Sequence, residues 1–493
     1  MEKIAIIELN EKALKLSIYK VNNGKSNLSL VKNQSVALAE ELDEGELINP
    51  NTKNEMLEVL KVYRKLIEGY GVSKIISVAT NVLYKARNYR GFLDEVFNNT
   101  GLNFIILSDE DYIKNLFNAV VNSIDSAKGV FIYVGAYNLY VVKYNRRAIL
   151  GSVTLPVGSY LVDTNVDIDE AVKEIKSKIA VEGFLQDIDD DSKVVGLGDA
   201  FISLGKIAKK IMRYPLDVDN NFLITKENMT KTFDFVKGLD LEKIKKIKGI
   251  DYDDASRITS GFAIIKALFE VLGLKDVTIS TANLRAGLLQ VNVLSPNQEK
   301  FNDLLTNSLE NYYEFNNDEF SINQYVYNMS TILFKQLKVM HKLPRFYVKP
   351  LRIASFMYDC GKCINSEHYS KYGFEKIVFS ELAGVTHREL LIAGFICVCQ
   401  NLDDFSLNEW IKYKDILTEE DMDAVRKLGI IVKLAVALNA SRKPVVQDIV
   451  CDILGDSIIM KTVVEGDASY EVLEGMKVAQ DYKKVYKKSL QII

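Results

Sequence analysis

One order of elements occurs twice in this sequence, and it constrains the fold more than any single residue does. Residues 4–9 (IAIIEL) and 14–20 (LKLSIYK) are apolar, β-branched runs separated by the turn NEKA, which reads as a hairpin. A third apolar run spans Leu28 to Val36, and apolar residues at helical spacing follow from 51 to 70, with Gly71 as the stop. A strand ending near Thr80, a helix through Phe92 to Phe97, a strand at 103–108 and a helix from Asp109 to about Ser123 complete the pass. Near residue 126 the pattern restarts with VFIYVG (130–135), NLYVVKY (138–144) and AILGSVTLPVG (148–158), then a helix from Asp169 to about Val181. A strand at 194–198, helices to Met212 and around 226–271, a strand at 276–280 and a helix at 284–291 finish the second copy. Two such copies predict a duplicated pair of α/β lobes with mixed sheets and a cleft between them.

From about residue 300 the strand signals stop. Residues 299–440 read as consecutive amphipathic helices, with Val326, Met329, Ile332, Leu333 and Leu337 on one face. Beyond them, SIIMKTVV and an amphipathic tail predict a small α+β cap. The expected domains are therefore 1–125, 126–298, 299–440 and 441–493, with boundaries in the SPNQEK stretch (295–300) and at Ser441 to Val446. Lys and Arg number 62 against 66 acids, and a net charge of -4 gives no overall pull toward nucleic acid or an anionic membrane. Any polyanion site must be a local patch. The opening residues read as neither a signal peptide nor a span, and no later stretch is long enough to cross a bilayer. Five cysteines, an odd number, fit a reducing compartment with free thiols, so the cytoplasm is the expected location.

Eight landmarks in order resemble the exopolyphosphatase and guanosine pentaphosphate phosphohydrolase (Ppx/GppA) family, a branch of the actin and sugar-kinase superfamily. AIIELNEKALKL (5–16) stands where that family has AxIDIGSNSxRL, SVATNVLYKARN (77–88) where it has AVATSALREAxN, and LSDEDYIKNLFNAV (107–120) where it has ISGxEEARLIxxGV. VFIYVGAYN (130–138) is similar to LVIDIGGGS, TLPVGS (154–159) to SLPLGA, and VGLGDAFISLGKI (195–207) to VGTGGTxxALAKI. The stretch 248–289 parallels the family's GLSPERADxILAGALI…SDGGLREGLL segment almost without gaps, and 351–374 parallels its HD-type segment. The resemblance implies two actin-like, ribonuclease H-like lobes, a helical HD-like domain and a small cap. It also implies attack of water on a terminal phosphoanhydride, with a carboxylate base, carboxylate-held Mg²⁺ and glycine-rich hairpins against the phosphates.

Most of the residues that do this chemistry are replaced. In the first hairpin DIGSNS becomes Glu8 to Ala13, which removes the glycine and sets Glu11 where a phosphate would approach. In the second, DIGGGS becomes Tyr133 to Asn138; Gly135 is the surviving glycine and Tyr133 stands at the metal-side Asp. Tyr112 occupies the position of the catalytic Glu, and a phenol with a pKa of about 10 is no ionised base near neutral pH. Tyr84 replaces the phosphate-binding Arg, Gly198 is followed by Asp199, and of DGGLREG only Arg285 and Gly287 remain. In the helical HD-like domain Tyr358 replaces the His of the His-Asp pair, Ile322 lies near the first His and Val436 takes the late Asp position, so no metal site is expected there.

The candidate cleft residues are thus Glu8, Asn10, Gly135, Gly198, Arg285 and Gly287, with Asp111 and Glu110 as substitute bases if the helix slips by one residue. The bland reading of Asp109, Glu110 and Asp111 is a helix first turn that favours the macrodipole. Tyr112, Tyr133 and Tyr137 fill the emptied cleft by default, or stack on a nucleotide base. Lys206, Lys209, Lys210 and Arg213, with Lys243, Lys245, Lys246 and Lys248, line a polyphosphate track or are solvated faces. Cys360, Cys363, Cys397 and Cys399 are four thiolates for zinc or, as favoured, core packing. The sequence therefore predicts a catalytically impaired homologue that binds a polyphosphate or guanosine polyphosphate, without a resident cofactor. The alternative is an active Mg²⁺-dependent hydrolase with rearranged groups. The resemblance further implies a homodimer.

Overall fold

The computed structural model describes all residues except 37, 40, 41, 43–45, 163–167, 181–182, 186–187, 189–190, 248–249, 251–254, 295–299 and 317–319. It divides into two compact units, Met1–Asn307 and Ser308–Ile493. The division falls inside a helix, Leu304–Asn316. The SPNQEK boundary lies almost wholly outside the described residues.

In the first unit, β1 (Glu2–Leu9), β2 (Ala13–Asn22), β3 (Lys25–Ser35), β4 (Lys74–Ala79) and β5 (Phe104–Ile106) form a sheet of order β3-β2-β1-β4-β5. A second sheet holds β6 (Lys128–Val134), β7 (Leu139–Asn145), β8 (Ala148–Leu155), β9 (Lys193–Leu197), β10 (Leu223–Thr225) and β11 (Asp276–Ile279), in the order β10-β11-β9-β6-β7-β8. Read from β8, the second sheet repeats the first and adds one antiparallel edge strand, β10. The directions repeat too. β1 is antiparallel to β2 and parallel to β4, as β6 is to β7 and β9. This duplicated, actin-like arrangement of mixed sheets is the one the repeat predicts.

The central strands are apolar on both faces because helices cover both. Helices α1 (Pro50–Gly69) and α2 (Tyr89–Thr100) pack one face of the first sheet, where Ala5, Ile7 and Leu9 meet Met56, Leu60 and Phe92. On the other face Ile4 and Ile6 join Leu116 and Val120 of α3 (Asp109–Val121) and Phe131 and Val195 of the second sheet, so one core runs between the sheets. The far face of the second sheet is covered by α4 (Ile168–Ala180), α5 (Asp199–Ile211), α6 (Lys226–Lys237) and α7 (Ala255–Val271). The last helix, α8 (Leu284–Leu289), lies against α3 so closely that a Cβ on Gly287 would stand 2.0 Å from the Asn115 carbonyl oxygen.

The second unit contains α9 (Phe320–Gln336), α10 (Val348–Phe356), α11 (Tyr369–Val378), α12 (His387–Val398) and α13 (Glu419–Ala437). It ends in β12 (Val446–Ile453), β13 (Ser457–Val464), two short helices and β14 (Ser489–Ile492), which runs parallel to β13. The apolar stripe read on 326–337 is buried through Val326, Met329, Leu333 and Leu337, whereas Ile332 is half-buried. The strand read at SIIMKTVV is β13; β12 before it and the closing strand β14 are not named from the sequence. α13 starts at a capping box in which the Asp421 carboxylate takes the Thr418 N–H at 2.9 Å.

Candidate functional site

The duplicated sheets bring the β1–β2 turn, the β6–β7 turn and the amino end of α5 to one cleft of about 210 Å³. Glu8, Asn10, Gly135, Gly198 and Arg285 all line it, together with Tyr112 and Tyr133. Gly287 does not. Its missing Cβ serves the contact of α8 with α3, so the cleft reading of this glycine gives way to a packing one. Asp111 and Glu110 also stay outside. Both are exposed, and Asp111 closes the start of α3, its carboxylate accepting from the Ser108 hydroxyl at 2.7 Å while its N–H donates back at 3.1 Å. The remaining acid, Asp109, accepts from the Asn81 amide at 2.9 Å and the Tyr140 hydroxyl at 2.8 Å.

Most polar groups of the cleft are turned toward one another. Arg285, 9% exposed, donates to Glu8 at 2.8 Å and to the Ser17 hydroxyl at 2.9 Å. Glu8, 4% exposed, accepts on its other oxygen from the Asn10 amide at 3.0 Å. The side-chain oxygen of Asn10 then takes the backbone N–H groups of Lys12 at 3.0 Å and Ala13 at 2.8 Å. That is an Asx turn, in which a side chain does for the hairpin what a bound anion would do. In the second turn the Gly135 N–H donates to the Asn138 carbonyl at 2.9 Å and the Ala136 N–H to the Glu11 carboxylate at 3.3 Å. Gly198 begins α5 with φ of +90°, a conformation that favours glycine, and Asp199 beside it lies 4.0 Å from the Lys12 ammonium. Burial pushes the Asp199 carboxyl up, but Lys15, Lys12, Arg285 and Lys206 outweigh it and leave it below the ordinary value.

Behind the cleft three tyrosine rings pack edge-on or tilted at 5.6–6.0 Å between centroids: Tyr112, Tyr133 and Tyr140. They leave a hollow of about 20 Å³, the size of a water and not of a base. Burial pushes the Tyr112 and Tyr133 phenols well above their ordinary value, and nearby carboxylates, Glu11 among them, push them further. Neither phenol ionises near neutral pH. Tyr137 is buried as well, its hydroxyl donating to the Ala39 carbonyl at 2.6 Å. The rings fill space.

A divalent cation does not fit this donor set. Glu8 is held by Arg285 and Asn10, Glu11 by Ala136, and the metal-side position is a phenol; among the described residues no three His, Cys, Asp or Glu side chains converge. In the second unit, Asn323 donates to the Phe356 carbonyl at 2.7 Å and approaches Asp359 at 3.4 Å, and the Tyr313 hydroxyl also donates to Phe356. The four thiols do not form a metal set either. Cys360 and Cys397 meet at Gly373, whose Cβ would lie within 4 Å of both sulfurs, but Cys399 packs against Gly429 and Cys363 is exposed; burial drives the Cys360 thiol up and those of Cys397 and Cys399 to about 12. Nor do the basic residues form one track, because Lys209 is buried on Asp219 at 2.5 Å and Asp217 at 3.4 Å. Lys243 and Lys245 pair with Asp240 and Glu242 on their own turns, and Lys248 lies outside the described residues.

A sequence model of the Ppx/GppA phosphatase family matches residues 17–295. The chain belongs to this family. A guanosine-5'-triphosphate,3'-diphosphate pyrophosphatase of Aeromonas hydrophila is 20% identical over 409 residues, 82% of this chain and 81% of that protein. A putative exopolyphosphatase of Haemophilus influenzae is 20% identical over 293 residues, 59% of this chain and 91% of the relative. The crystal structure of the Aquifex aeolicus Ppx/GppA family member superposes with a TM-score of 0.53 at 23% identity, covering 60% of this chain and 99% of that one. An exopolyphosphatase from Cytophaga hutchinsonii gives 0.55 at 14% identity, covering 61% and 100%. These Ppx/GppA structures share the two-lobed fold.

The sequence reading missed Ser17, Lys15 and Thr80. Lys15 and Ser17 alternate with buried Leu14, Leu16 and Ile18 on β2, and Lys15 stands opposite Glu8 in the ladder. Polar residues at every second place of a central strand were the available signal.

Proposed function

We propose that this Ppx/GppA-family protein uses the cleft to bind a phosphate polymer or guanosine polyphosphate and turns it over poorly or not at all. One observation carries the reading: the groups that would meet a phosphoryl group are engaged by the protein's own side chains. Asn10 takes two hairpin N–H groups, Glu11 takes a third, and Glu8 with Ser17 takes the arginine. Catalysis of phosphoryl transfer is mostly positioning and charge stabilisation, so losing base, metal site and donors together removes most of it. The protein then acts by binding, as a homodimer in the cytoplasm; the dimer rests on family resemblance and the compartment on five free thiols. No helix among the described residues is long and apolar enough to cross a membrane.

Two measurements test this. Purified protein with Mg²⁺ is expected to release no phosphate from polyphosphate or guanosine pentaphosphate above a no-enzyme control. A thermal-shift panel of polyphosphate, guanosine polyphosphates and ATP, with and without Mg²⁺, is expected to show stabilisation by at least one of them. Magnesium-dependent release that scales with protein and disappears in Glu11→Gln would overturn the impaired reading, and a flat panel the binding one.

A further inference from the structure

The two hairpin turns are joined by one carboxylate. Glu11 in the first turn accepts the Ala136 N–H of the second at 3.3 Å and, on its other oxygen, the Thr80 hydroxyl at 3.4 Å. Residues 11 and 136 are 125 apart in the chain, so this is a tertiary tie between the two sheets' turns and not a local one. Glu11 lines both the 210 Å³ cleft and the 20 Å³ hollow behind it, and with Tyr112, Tyr133, Gly135 and Ala136 forms the partition between them. The second turn cannot back away from it: a Cβ on Gly158 would already lie 2.0 Å from the Ala136 oxygen, and the Tyr160 N–H is bonded to that oxygen at 2.9 Å.

A carboxylate and a phosphoryl oxygen are both anionic acceptors and compete for one N–H. The charge of the cleft bears on that competition. Its lining carries Glu8, Glu11 and Asp199 against Lys12, Lys15 and Arg285, an even balance that becomes positive when Glu11 is neutralised. We infer that Glu11 is an internal anion occupying the phosphoryl-recognition position of the second hairpin. A ligand's terminal phosphoryl group binds by displacing it from Ala136 and Thr80, which unties the two turns. The inference rests on the reading of the cleft as the ligand site, and it makes Glu11 the residue that sets affinity. Two modest hydrogen bonds must be given up on binding, which lowers apparent affinity by about fivefold to a hundredfold.

Calorimetric titration with tripolyphosphate and, separately, guanosine tetraphosphate tests this on the full chain. The variants are Glu11→Gln, which keeps the shape, and Glu11→Gly, which removes the side chain; Glu58→Gln, at an exposed position of α1 that pairs with Lys61 at 2.7 Å, controls for net charge. Both Glu11 variants are expected to bind at least one ligand tenfold or more tightly than wild type, with Glu58→Gln unchanged. Gain for both ligands identifies the bare phosphoryl group as the recognised element, and gain for the nucleotide alone identifies a guanosine polyphosphate. Gain in the variants with no wild-type binding at millimolar ligand supports the inference and removes the physiological ligand proposed above. Equal binding by wild type and folded variants overturns the inference and leaves that ligand standing, and no binding by any protein overturns both.

Discussion

Replacing Arg285 with Met asks whether the arginine of the cleft is held as a structural ion. Its guanidinium bonds Glu8 at 2.8 Å and Ser17 at 2.9 Å, all three being buried. Deleting it strands a carboxylate away from water with the Asn10 amide at 3.0 Å as its partner. Breaking a buried pair by removing one ion costs about 3–5 kcal/mol, although the intact pair contributes far less because desolvation of both ions offsets their attraction. An unfolding entropy of about 2.1 cal/mol/K per residue over the 307 residues of the first unit gives about 0.64 kcal/mol/K, so its melting temperature should fall by roughly 5–8 °C. The double variant Glu8→Gln with Arg285→Met leaves no buried charge and should recover more than half of that loss. Scanning calorimetry on the three proteins decides the matter. A single variant melting within about 2 °C of wild type, or a double variant no better than the single, refutes the argument that the stranded charge is the cost.

Three further outcomes are expected. Gly287→Ala must displace α8 from the Asn115 carbonyl and should cost about 1–3 kcal/mol in a melt, whereas Gly69→Ala, with nothing within 4 Å of its Cβ, should cost nothing. Burial raises the Asp421 carboxyl, but Arg388, the Thr418 N–H and the Tyr347 hydroxyl together hold it below its ordinary 3.8. The unfolded chain therefore binds that proton more readily. The stability is complete above 3.8 and lost as pH falls through the depressed value, so Asp421→Asn should flatten the acid limb of urea midpoints for the second unit. Iodoacetamide should mark Cys363 first in the native protein and reach Cys360, Cys397 and Cys399 only in urea, as mass mapping would show; native labelling of Cys397 would refute its burial.

The duplicated sheet order was legible because its signals are local. Turn residues punctuate β-branched runs at 4–20 and again at 130–144, and the strands so delimited pair in the same order. The filling role of Tyr112 was legible for a related reason, since a bulky apolar ring at a position between helix and sheet has few other uses. The engagement of the cleft donors was not. Sequence alone places Asn10 and Glu11 in a turn, but the Asx geometry of Asn10 and the reach of Glu11 to Ala136 depend on side-chain rotamers and on a contact across 125 residues. Glu11 reads in the sequence as repulsion toward a phosphate. Its carboxylate is better described as a resident acceptor, because an anion next to backbone N–H groups is bound by them.

Gly287 and Gly158 separate two uses of glycine that a sequence pattern merges. Both survive from the resemblance, and both face a backbone oxygen that a Cβ would approach to 2.0 Å, Asn115 for one and Ala136 for the other. Gly135 is similar, since its Cβ would meet the Asn138 carbonyl oxygen at 2.9 Å, and Gly198 has φ of +90°. Each of these four is demanded by the fold whether or not a ligand comes. At the other glycine positions of the first and second hairpins stand Asn10, Ala136 and Tyr137, and two of these use their side chains inside the protein, Asn10 on its own turn and Tyr137 on Ala39. A ligand site needs the backbone bare, while a fold needs it bare only where another backbone passes close. The glycines that remain are those the packing requires, and that is why the lobes keep their architecture while the polar groups of the cleft are engaged by its own side chains.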